Sequence, residues 1–168
     1  MRIIRFVLGL SLLLLAVNAF GQKVTTDQAP NVNWSQYHTY AWGEGTPVQD
    51  PILAQKIVAG IDAQLAAKGF KKVDSDPDLL VMYHASTDQQ KSLNWSSMGG
   101  WGRFGGMGSA QVDTVVTGML KVDIADFKAK QFLWRGTATD TVSSDPQKVA
   151  KKVDKALTKM FQKFPTGQ

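Results

Sequence analysis

The chain has two histidines, His38 and His84, and no cysteine. Thiol catalysis, disulfides and cysteine metal sites are therefore excluded. General-base chemistry through an imidazole has only these two residues to use. They fall on separate predicted strands, and neither belongs to a zinc-like spacing. No G-x-S-x-G nucleophile elbow occurs. A Ser-His-Asp set assembled from distant positions stays open on sequence alone. The favoured reading is that both histidines are structural or lie at the surface. The competing reading is a periplasmic hydrolase-type enzyme with His38 or His84 as base.

Three other patterns resemble sites by spacing. Asp74, Asp76 and Asp78 alternate like the opening of a calcium loop. Leu79 and Ala85 stand where that loop needs a glycine and a bidentate glutamate, so the stretch reads as a turn with solvated carboxylates. Gly100, Gly102 and Gly105 match G-x-G-x-x-G by letter. That fingerprint requires a strand before it and a helix after it. A serine-rich stretch precedes it and more glycine follows, which argues against a nucleotide. No metal and no cofactor is expected.

The stretch 92–110 is the most unusual in composition. Six of the fifteen glycines lie between positions 99 and 108, interleaved with Trp95, Met98, Trp101, Phe104 and Met107. Two readings follow. The loop folds over a sheet face, with Trp95, Trp101 and Phe104 covering Leu80, Met82, Met119 and Leu133, because contiguous wet apolar patches are rare. Otherwise it presents its aromatics to a partner: an envelope protein, a lipid surface or a glycan. The last helix adds a lysine-rich side. A solvated face is the ordinary explanation. The alternative is an anionic surface met by Lys148, Lys152, Lys155 and Lys159, at about 1 kcal/mol per lysine near lipid headgroups.

These residues need a scaffold, and the clearest part of it lies at 112–142. Val112, Thr114, Val116, Gly118, Leu120, Val122 and Ile124 alternate with polar residues, the period of a half-buried strand. After a polar break at 126–130 the alternation resumes with Phe132, Trp134, Gly136, Ala138 and Val142 on the apolar side. Two such runs predict an antiparallel hairpin. Parity excludes a one-residue slip. Of the allowed registers, one places Lys121 opposite Arg135. The register that pairs Asp123 with Arg135 and Ile124 with Trp134 is preferred, since favourable cross-strand pairs contribute roughly 0.2–1 kcal/mol each.

Two helices are marked by the same device. Asp50-Pro51 and Asp145-Pro146 each offer an N-cap followed by proline at the first helical position. The first helix carries Leu53, Ile57, Ile61 and Leu65 as one apolar stripe, with Gly69 as its stop. The second carries Val149, Val153, Leu157, Met160 and Phe164. Short strands are expected at 24–27, 34–42 and 70–73, and a strand apolar on both sides at 79–85. The predicted fold is α+β: a two-layer sandwich with a mostly antiparallel or mixed sheet of about five strands and both helices on one face.

Residues 1–21 order themselves as basic (Arg2, Arg5), apolar (6–17) and small (Ala19, Gly21), the pattern of a secretory signal peptide. The apolar run is shorter than the roughly 20 residues of a bilayer span. Residues 22–168 then form a single domain. The formal charge of +5 falls by two with Arg2 and Arg5, an ordinary value and no argument for nucleic acid.

The stretches Thr39-Tyr40-Ala41-Trp42, Lys68-Gly69-Phe70, Pro77-Asp78-Leu79-Leu80-Val81, 118–124 and Trp134-Arg135-Gly136, in that order and spacing, resemble domain-of-unknown-function family 4136. That family consists of bacterial exported envelope proteins. The resemblance covers nearly all of the mature chain. It implies an envelope location and a small α/β domain, with no established activity. Many members are similar to lipoproteins with a cysteine after the leader, which this chain lacks. The expectation is an exported protein, periplasmic or outer-membrane associated, not lipid-anchored through cysteine. Its role is read as non-enzymatic, binding or structural support through the aromatic Gly-rich loop and the adjacent sheet face, with Trp95, Trp101, Phe104, Leu80 and Met82 as contacts.

Overall fold

A computed structural model describes residues 22–94 and 111–166, the side chains of 91–94 and 111–113 excepted. The leader 1–21 and the loop aromatics Trp95, Trp101 and Phe104 lie outside the described residues. The chain runs β1 (Lys23–Gln28), β2 (Thr39–Trp42), α1 (Pro51–Ala67), β3 (Lys71–Lys72), β4 (Leu79–Asn94), β5 (Gln111–Asp126), β6 (Phe132–Thr141) and α2 (Pro146–Gln162). The strands form one mixed sheet of six, in the order β1-β6-β5-β4-β2-β3. The β2–β3 and β2–β4 pairs are parallel and the others antiparallel.

The sequence logic accounts for most of this. Asp50 and Asp145 accept the N–H groups of Ile52, Leu53, Gln147 and Lys148, closing the orphan donors of each first turn. Gly69 adopts φ +90° just past α1, which glycine tolerates without steric penalty. The stripes Ile57, Ile61, Leu65 and Leu157, Met160, Phe161 pack on the sheet face made by Leu79, Val81, Tyr83, Leu120, Val122, Ile124 and Trp134. The two helices approach closely at Gly60, where an added Cβ would stand 2.7 Å from Leu157 Cδ1. No described helix is long and apolar enough to cross a membrane.

The β5–β6 register is the one expected: Asp123 faces Arg135 and Ile124 faces Trp134. The fold is α+β as expected, with six strands where about five were expected, since the short β1 and β3 both pair. Three expectations need correction. The segment Trp34–Gln36 is a 3-10 turn, held by the Asn33 side chain accepting from the Ser35 N–H, so β2 starts only at Thr39. Phe132, assigned to the apolar side, is 58% exposed, while Leu133 is buried. A bulge is the reason. Ala125 pairs with Phe132 directly after Ile124 pairs with Trp134, so Leu133 is the extra residue and the parity inverts there.

Finally, β4 does not stop at Ala85. It continues to Asn94, paired with β5 throughout, although residues 86–90 are solvent-exposed and leave no apolar periodicity to read.

Candidate functional site

The β2 strand does not end cleanly at Trp42. The Gly43 N–H donates to the Val81 carbonyl, the Thr46 N–H to that of Tyr83, and the Ala85 N–H to that of Thr46. This close run depends on Gly45, where a Cβ would lie 2.2 Å from the Tyr83 oxygen. Its consequence is to seat Thr46 beside His84, with Oγ1 and Nδ1 3.1 Å apart. Part of the cover over Met82 also comes from here, since a Cβ on Gly43 would stand 3.0 Å from Met82 Cγ.

On the same helix-free face, Arg135 Nε and Nη2 donate to both oxygens of Asp123, the latter at 3.1 Å. The Asp123 side chain is only 3% exposed. A buried carboxylate needs such a partner, since an unpaired one is strongly disfavoured. The bond and charge of Asp123 in turn hold the guanidinium protonated beyond its ordinary range. His84 Nε2 lies 3.9 Å from Asp123 Oδ2, too far for a hydrogen bond. Thr46, His84 and Asp123 thus fall in the sequence hydroxyl, imidazole, carboxylate.

His38 is set apart from this group. It is exposed, and its backbone rather than its ring makes its bonds: its N–H donates to Asp78 and its carbonyl accepts from Lys71. Asp78, read as part of a solvated turn, instead accepts the N–H groups of His38 and Thr39 and the Thr39 hydroxyl. Burial pushes its carboxyl up, but these three donors outweigh that and hold it below the usual carboxylate range. Asp126 behaves similarly, chiefly through the Ala129 N–H that it caps in the β5–β6 turn.

On the helix side of the sheet there is an apolar crevice of about 110 Å³ between α1, α2 and strands β4 to β6. Its walls include Leu53, Ile57, Leu120, Val149 and Val153, and small residues line it from four elements: Ala85, Gly118, Ala138 and Ala156. The neighbouring rows of the same face carry Tyr83, Val122 and Trp134, which are buried in the core. Interiors normally pack to a density near 0.75, so the row of small residues leaves a space that the core does not close. At the rim, Gln22 Nε2 donates to the Lys152 carbonyl while its Oε1 is buried without a partner among the described residues.

Of the lysines assigned to an anionic surface, Lys152 is already engaged. Its ammonium donates to Asp140 at 2.9 Å and to the Thr141 carbonyl at 2.7 Å. Lys148 and Lys155 are exposed, and Lys159 is half-buried. Leu80 and Met82 are half-buried near the start of β4. The stretch bearing Trp95, Trp101 and Phe104 attaches instead at Asn94 and Gln111, fourteen residues along β4 from Leu80. At the rise of an extended strand, that is roughly 45 Å.

The sequence profile described as domain of unknown function (DUF4136) matches residues 24–166. Among solved structures, the chain is similar to a DUF4136 family protein from Bacteroides thetaiotaomicron, with a TM-score of 0.59 at 14% identity over 88% of this chain and 98% of that one. It is also similar to a PDZ domain protein from Parabacteroides distasonis, with a TM-score of 0.58 at 15% identity over 86% of this chain. The chain spans only 36% of the length of that protein. At such identities the likeness shows the fold. No curated protein matches the chain.

Proposed function

The chain belongs to the DUF4136 family, and we propose that it is a non-enzymatic module of the bacterial cell envelope that binds an apolar group in the crevice between α1, α2 and the sheet. The leader-like residues 1–21 support export. The carrying observation is the unfilled apolar crevice itself, floored by Ala85, Gly118 and Ala138. Apolar cavities of about 150 Å³ stay dry and take up small hydrophobic molecules, and a space of this kind next to solvent favours a ligand's apolar end over water. Trp95, Trp101 and Phe104 belong to the same reading as further partner contacts.

The hydroxyl, imidazole and carboxylate of Thr46, His84 and Asp123 favour the enzyme alternative. The geometry weakens it. Both oxygens of Asp123 are held by Arg135, and at 3.9 Å the carboxylate does not orient the imidazole. A working triad requires that orienting bond.

Titration with the apolar fluorophore N-phenyl-1-naphthylamine tests the binding reading. The protein gives a saturable rise in emission, and Ala138→Leu, which fills the crevice floor, weakens binding at least tenfold while retaining the native circular dichroism. Equal binding by the two proteins, or none by either, overturns it.

A further inference from the structure

On the helix-free face, Thr46, His84, Ser86 and Lys121 border a surface cavity of about 270 Å³, which also touches Ala85 and Met119 and shares these two and Ser86 with the crevice. We propose that this cavity is an oxyanion site that takes a phosphate group. Its polar edge is built from donors. His84 and Lys121 are directly opposed in the β4–β5 register, so an imidazole and an ammonium share one face on neighbouring strands. Thr46 fixes the ring through Nδ1. In the tautomer where the hydroxyl donates, the proton sits on Nε2. The ring then has an N–H to offer in a cavity that Lys121 and Ser86 also line.

The charge balance points the same way. Asp123 lies 3.9 Å from His84 Nε2, and its charge is matched by the two-pronged bond from Arg135. Lys121 has no carboxylate partner within ion-pair distance among the described residues. On its other side it faces Thr137 of β6, a neutral hydroxyl. Lys121 supplies a positive charge, and three kinds of donor border one space. That set suits a tetrahedral oxyanion, whose several oxygens each accept a bond. Gly45 is what permits the arrangement: any side chain there meets the Tyr83 backbone and moves Thr46 away from His84.

The phosphate could be free or carried on a lipid headgroup, and the test separates the two. The His84 ring signal is followed by NMR at constant ionic strength, first with inorganic phosphate and then with vesicles of phosphatidylglycerol in phosphatidylcholine. A saturable shift with inorganic phosphate, weakened at least fivefold in Lys121→Gln and unchanged in Lys71→Gln, establishes the site for the free ion. A shift with the anionic vesicles alone, again lost in Lys121→Gln, establishes it for the headgroup. Silence in both titrations, or equal response of the Lys121→Gln protein, overturns the proposal. Neither result bears on the crevice, whose readout is separate.

Discussion

Arg135 reaches across one strand pair to grip both oxygens of Asp123, a carboxylate that is otherwise sealed from water on the helix-free side of the sheet. The pair fixes the register of β5 against β6, since a slip would leave Asp123 buried without a counter-charge. Arg135→Gln is expected to lower the unfolding free energy by about 2 kcal/mol, the scale of a buried charged acceptor losing its partner, reduced by the partial exposure of the arginine. Replacing both residues by leucine should recover part of the loss. Urea denaturation of Arg135→Leu, Asp123→Leu and the double variant in a double-mutant cycle checks this, and equal losses in the single and double variants would refute the account.

Acid should destabilise the fold through Asp78 and Asp126. Both carboxyls titrate below their ordinary values when folded, so each stabilises the fold above the unfolded value near pH 4. That contribution is lost as pH falls through the folded one. Denaturation midpoints should drop as pH falls below about 5, and Asp78→Asn should flatten that dependence while lowering stability at pH 7. A variant with an unchanged acid slope would show that the Thr39 and His38 donors do not act as described.

The matching Asp-Pro starts predict matching effects. Asp50→Ala and Asp145→Ala each remove the acceptor for two backbone N–H groups and should destabilise by about 1 kcal/mol. Asparagine at either position should restore most of it. Thermal melts followed by circular dichroism measure both.

Gly136 is fixed by packing. An added Cβ would lie 2.6 Å from Trp134 Cη2 and 2.9 Å from Met160 Sδ. Gly136→Ala should therefore cost about 1–3 kcal/mol, the range for overpacking a filled core. A neutral or stabilising result would mean that Trp134 and Met160 relax more freely than their burial suggests.

The hairpin register was legible because three constraints agreed: parity, a charge pair and an aromatic–aliphatic pair. The bulge at Ile124–Ala125 was not, since one extra residue leaves the composition of the strand unchanged while turning Phe132 outward and Leu133 inward. The second half of β4 escaped because its exposed residues, Thr87, Asp88, Gln89 and Gln90, are polar on both faces. Of the functional candidates, His84 was visible as a residue but not as a neighbour of Thr46. Two glycines that read as an ordinary loop bring the latter against β4. The crevice left the faintest trace. Ala85, Gly118, Ala138 and Ala156 are unremarkable in sequence, and only the fold aligns their smallness.

The crevice carries the account, and methyl NMR tests it most directly. With N-phenyl-1-naphthylamine added, the methyl signals of Leu53, Ile57, Val149 and Val153 should shift together and saturate at one ligand per chain, while those of Val81 and Ile124 in the closed core stay fixed. Shifts confined to other parts of the surface, or none at saturation, would contradict the claim that the row of small residues is a ligand seat.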